Sequence, residues 1–171
     1  MTQLNSKYIW AILLFLNGNF ACRQTQSNSL DANNTNKSIQ KISPDTNIAI
    51  IHYDKSIHWL FDGFHEASVL TEADLIEIDK LFNQSVADHN SKLKDKEHFI
   101  DLGRQKYKRQ YVCVTNLWGQ KEVYINCFCE TSGSEWKKSL MVTDDGGSCY
   151  FNFKLNLATK KYYDFFVNGI V

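Results

Sequence analysis

The sequence predicts an α+β domain: one amphipathic helix packed on a four- to five-stranded antiparallel meander sheet, behind an export signal. Three observations carry this expectation. Residues 72–89 repeat apolar side chains at helical spacing, whereas from residue 107 onward apolar and polar residues alternate at strand spacing. Turn-forming residues separate those strands, at Trp118-Gly119, at Asp144-Asp145-Gly146-Gly147 and at Ala158 to Lys160. A chain of 171 residues with 43% hydrophobic and 13% aromatic content supports one such domain.

The first element is a leader. A short polar region with Lys7 precedes an apolar run from Tyr8 to Phe20, too short to span a bilayer at ~20 residues, in the order of a secretory signal over residues 1–21. The polar tract behind it offers a buried core helix nothing to pack on. The run ends in Asn19-Phe20-Ala21-Cys22, which looks like a lipobox, with Ala21 fitting the pattern and Asn19 departing from it. Cys22 is therefore the expected lipidation site; ordinary signal cleavage and a secreted, soluble product is the alternative. Acyl chains contribute roughly 0.8 kcal/mol per buried CH₂, so two or three anchor a protein stably. The expected location is the cell envelope, on the periplasmic face of the outer membrane. Residues 22–46, rich in Asn, Ser, Thr and Gln, read as a tether.

The domain proper, residues 47–171, opens with a β-branched run from Ile48 to Tyr53, a candidate strand. The aromatic-rich stretch from Ile57 to Phe64 is broken at Asp62-Gly63 and has no clear state. The helix follows. Thr71 is a good N-cap, Asp74 occupies the capping-box position, and Leu70 with Leu75 has the spacing of a hydrophobic staple. Leu75, Ile78, Phe82, Val86 and His89 form its stripe, with Leu81 beside it.

The sheet should then run through Tyr107 to Asn116, Gln120 to Glu130, Trp136 to Thr143, Cys149 to Leu157 and Lys161 to Val167. On the second of these, Val123, Ile125, Cys127 and Cys129 share one face, while Glu122, Asn126 and Glu130 share the other. On the fourth, Cys149, Phe151, Phe153, Leu155 and Leu157 point inward. A helix lying across a curved sheet, in a cystatin-like layout, is the simplest arrangement.

Apart from Cys22, four cysteines remain: Cys113, Cys127, Cys129 and Cys149. Three readings stay open: buried thiols acting as small hydrophobes, a disulfide of Cys149 with Cys127 or Cys129, and a metal or redox site. Cys127 and Cys129 point parallel from one strand, roughly 6 to 7 Å apart at a rise of ~3.3 Å per residue. That argues against chelation and against a bond between those two. Asn126-Cys127-Phe128-Cys129, Trp136-Lys137-Lys138, and the run from Asp145-Gly146-Gly147-Ser148-Cys149-Tyr150-Phe151-Asn152 to Tyr162-Tyr163-Asp164 resemble a group of small lipoproteins from Bacteroidota. The resemblance covers the last third to half of the chain. It implies an envelope lipoprotein and brings no activity with it.

Other chemistry is sparse. His52, Asp54, His58, His65 and Glu66 lack the spacing of a metal site and read as scattered surface residues. Ser132 and Ser134 lack the context of a nucleophile, and Asp144-Asp145 reads as a hairpin turn. No cofactor and no metal is expected. Arg104, Lys106, Lys108 and Arg109 alternate with tyrosines as a solvated strand face would. With 19 basic and 19 acidic residues the chain has no basic surplus, so nucleic acid is not an expected partner. The expected partners are the membrane, through the lipid, and a protein or small ligand on the sheet face or C-terminal strand. There Tyr162, Tyr163, Phe165 and Phe166 cannot all be buried on one side. The expected role is thus a non-enzymatic binding domain. The rival is a thiol/disulfide or metal-handling periplasmic protein using Cys127, Cys129 and Cys149.

Overall fold

The computed structural model describes residues 46–94, 96–131 and 133–169. The expected signal, Cys22 and all but the last residue of the expected tether lie outside the described residues. So does Ser132.

The fold is α+β, with one main helix and a six-stranded sheet. Helix α1, Glu72–Lys92, forms as its caps demand. The Thr71 hydroxyl accepts a hydrogen bond from the Asp74 backbone N–H at 3.2 Å, and Asp74 accepts from the Thr71 backbone N–H at 2.8 Å. Its buried residues Ile78, Leu81, Phe82, Ser85 and Val86 face the sheet. Each large apolar side chain so covered contributes roughly 1.5–3 kcal/mol.

The sheet comprises β1 (Ile48–Ile51), β2 (His65–Ala67), β3 (Lys108–Asn116), β4 (Lys121–Phe128), β5 (Tyr150–Asn156) and β6 (Lys161–Val167). Its order is β1-β3-β4-β5-β6, with β2 also paired to β3. The run β3-β4-β5-β6 is antiparallel, as expected of a meander. One departure lies at β1, which pairs parallel with β3. The connection between them contains α1, and a helical crossover returns the chain in its original direction. The other departure is β2, three residues too short to leave a periodic signal.

A third difference concerns residues 136–143, expected as a strand. Here the chain makes a 3₁₀ turn, Glu135–Lys137, and then an irregular segment, so β4 pairs directly with β5. Side-chain amides take the place of a ladder. Gln110, fully buried, donates to the carbonyls of Trp136 and Ser139 and accepts from the Met141 N–H. Asn126 donates to the Met141 carbonyl, and Asn168 to those of Thr143 and Asp145. Buried backbone groups need partners, and these three amides supply them.

The segment covers a second core. On the helix face, Tyr111, Cys113, Val123, Ile125, Cys127, Phe151, Phe153 and Leu155 pack with α1. On the opposite face, Val112, Val114, Tyr124 and Phe128 pack with Leu60, Phe61 and Trp136. The sheet is thus buried on both sides of β3 and β4, which explains the unbroken apolar run Tyr111-Val112-Cys113-Val114. The inward alternation expected on β5 holds, with Phe151, Phe153 and Leu155 buried.

Candidate functional site

All four described cysteines belong to the helix side of the sheet or its end. Cys129 and Cys149 are bonded, with Cα atoms 5.1 Å apart and a sequence separation of 20. Of the two pairings left open, this is the one present. Cys149 sits in the 3₁₀ turn Gly147–Cys149 just before β5, opposite the end of β4, and its carbonyl accepts from the Cys129 N–H at 3.0 Å. Cys113 and Cys127 are free and buried. Burial pushes the Cys113 thiol up to about 11 and the Cys127 thiol higher still. A nucleophilic or metal-binding sulfur has to ionise near neutrality, and burial opposes ionisation of both. Cys129, Glu130 and Cys149 bring a carboxylate and two sulfurs within 4.8 Å, but sulfurs bonded to one another supply no thiolate ligands.

Polar chemistry gathers on the other face. Glu122 points there from β4, buried, with both carboxylate oxygens engaged. Oε1 accepts from Asn116 at 2.8 Å and Asn156 at 3.2 Å; Oε2 accepts from the Tyr163 hydroxyl at 2.9 Å and lies 3.1 Å from His65 Nε2. Burial by itself raises the Glu122 carboxyl, yet the Asn116, Tyr163, His65 and Asn156 donors outweigh it and hold the group below its ordinary value. Burial and the Glu122 carboxylate in turn push the Tyr163 phenol up. These contacts correct the reading of His65 as a surface histidine. Its side chain is only 6% exposed, because the Asp62-Gly63 break turns the chain into β2 and lays His65 across the sheet end. His52 and His58 are exposed, as expected.

Two clefts open on this face, each enclosing about 340 Å³, and Lys154 lines both. Its Nζ lies 2.8 Å from Asp164 Oδ2 and stands over the rings of Phe61 and Tyr163, 5.8 and 5.6 Å from their centroids. Asp164 reaches this position because β6 carries a bulge opposite Asn152 and Lys154, where Asp164 adopts φ of +50°. The first cleft is lined by Tyr124, Asn126 and Asn152, with the exposed side chains of Trp59, Val142 and Phe166 around it. The second runs over Glu122 and His65, between Phe64, Leu117 and Trp118. Ten large hydrophobic residues are exposed among the described residues, and these six rim the two clefts. Trp118 is 80% exposed, Phe166 57% and Trp59 55%.

The bulge at Asp164 shifts the alternation of the C-terminal strand. Tyr162, Phe165 and Val167 pack on the helix-side core, while Tyr163 and Phe166 face the clefts. Sequence reasoning singled out the aromatics of this strand and missed Glu122, His65 and Asn152 as a group. Register sets them out across the sheet: Gln110, Asn126, Asn152 and Phe166 form one row across β3 to β6, Val114, Glu122 and Asn156 another, and His65 lies opposite Asn116 on β3. A polar residue within an otherwise apolar strand was the available signal. Compared with protein-family models, with curated proteins and with solved structures, the chain matches none.

Proposed function

We propose that this chain is a non-enzymatic binding protein of the cell envelope, held by lipid on Cys22, whose working surface is the pair of clefts opposite α1. One observation carries the binding role: six of ten exposed large hydrophobic residues surround two adjoining clefts with polar floors. Scattered apolar residues are ordinary on a surface, whereas a contiguous group around a concavity is the usual mark of a ligand site. The envelope location rests on the leader pattern of residues 1–21, and a structural disulfide between Cys129 and Cys149 suits an oxidising compartment. No helix among the described residues is long and apolar enough to cross a membrane, so on this reading attachment falls to the lipid.

Oxidative footprinting tests the proposal. Full-length protein in isolated envelopes and the purified protein would be exposed to hydroxyl radicals in parallel. Trp59, Trp118 and Phe166 should be protected several-fold in envelopes, while Ile76 and Phe99, exposed elsewhere, should react equally in both. Equal reactivity at all five positions would defeat the reading.

A further inference from the structure

Resting on that reading, we infer that the first cleft takes a neutral saccharide chain. Its floor and rim supply the two halves of sugar recognition. A pyranose ring has an apolar C–H face and a perimeter of hydroxyl groups, so it needs a flat aromatic surface and groups that both donate and accept hydrogen bonds.

The aromatic surfaces are Trp59 and Phe166. The second group is an amide row. Gln110, Asn126 and Asn152 lie in register across three strands. At its inner end, Gln110 and Asn126 bind the backbone of the covering segment and each other, with Asn126 Nδ2 donating to Gln110 Oε1 at 3.0 Å. At the outer end the covering segment continues along the cleft as Val142, Thr143 and Asp144, held there by Asn168 rather than by Asn152. The Asn152 carboxamide has no hydrogen-bond partner among the described residues and lies half-buried in the cleft floor beneath Phe166. A carboxamide offers two donors and an acceptor, enough to span adjacent hydroxyls. The Tyr124 hydroxyl, also without a partner among the described residues, stands one register step away, opposite Lys154.

Charge disfavours an anion. Of the charged groups lining the cleft, Lys154 is paired with Asp164 and Asp144 adds a further negative charge, so a phosphate or carboxylate would have to displace a carboxylate already in place. An extended peptide would be expected to add to the open edge of β6, but the bulge at Asp164 breaks the ladder on that strand. Two adjoining clefts sharing Lys154 favour a chain of several residues over a monosaccharide.

The test uses the purified full-length protein in detergent, titrated with chitotetraose, cellotetraose and maltotetraose and followed by calorimetry and tryptophan fluorescence. At least one tetrasaccharide should bind and perturb the fluorescence. Trp59→Ala, Phe166→Ala and Asn152→Leu, all at non-core positions, should each weaken it tenfold or more, with Ile76→Ala unchanged. Binding that survives all three cleft substitutions overturns the inference. So does a protein that binds none of the three sugars. In that case footprint protection in envelopes leaves the binding reading standing with another ligand class, and absence of protection removes both. Saturable binding of an unfolded peptide at Trp59 without sugar binding also overturns it.

Discussion

At the scale of the residue, Glu122 is the position on which most depends. Four side chains from β2, β3, β5 and β6 converge on one carboxylate that is itself buried. Removing it in Glu122→Ala deprives the Tyr163 hydroxyl and His65 of their partner, at a cost of about 1–3 kcal/mol, while the Asn156 and Asn116 amides keep Gln120. Urea unfolding at neutral pH should register that loss; a change within 0.5 kcal/mol or so, the range of ordinary surface substitutions, would mean that water replaces the carboxylate. The pH dependence follows from the same donors. Since the folded carboxyl is held below its ordinary value, the unfolded chain takes up the proton first as pH falls. The stabilisation is therefore complete above the unfolded value of roughly 4.3 and is lost as pH drops through the lower folded value. Asp74, held low by Lys121 and the Thr71 cap against an opposing burial effect, acts in the same window. Glu122→Gln should consequently lose most stability at pH 7 and approach the parent protein as pH falls through the lower folded value. Parallel stability curves for the two proteins across that range would contradict this account.

At the scale of the element, the segment between β4 and β5 behaves as a strap fastened at three points. The Cys129–Cys149 bond closes its base, Gln110 and Asn126 hold its middle, and Asn168 holds its far end. Cys149→Ser opens a loop of 20 residues, for which chain entropy predicts a loss of about 3 kcal/mol. Alkylation followed by peptide mapping should find Cys113 and Cys127 unreactive in the native protein and reactive in denaturant, with Cys129 and Cys149 labelled only after reduction. Native labelling of Cys127 would restore a reactive-thiol role. Gln110→Leu should cost a comparable amount, because it strands the Trp136 and Ser139 carbonyls and the Met141 N–H. Elements whose stability is local could be read from sequence: α1 announces its own caps, and β5 its own alternation. The strap could not, because Trp136 to Thr143 has strand-like composition and is diverted by partners 26 to 31 residues away at Gln110. The clefts were hidden for the same reason. His65 and Tyr163 lie 57 and 41 residues from Glu122 in sequence, and only the sheet register brings them together.

At the scale of the whole molecule, the two sheet faces differ in kind. One is sealed by α1, and the other is only partly covered by the strap and the 3₁₀ turn Lys55–Leu60, leaving the clefts. Such a domain can present a surface while its interior stays closed, which suits an anchored binding protein. Location and anchoring make separate demands that one substitution can part. On the proposed reading, export alone would bring Cys129 and Cys149 into an oxidising compartment, and lipid attachment would need Cys22 in addition. With Cys22→Ser, the protein should therefore leave the detergent phase on partitioning and still carry its disulfide, as read by intact mass before and after reduction. The parent protein should enter the detergent phase with the added mass of its acyl chains. A parent protein that stays in the aqueous phase with an unmodified Cys22 would turn the anchored reading into that of a secreted soluble domain. A chain recovered with both Cys129 and Cys149 reduced would remove export itself, and the envelope as the place where the clefts find their ligand.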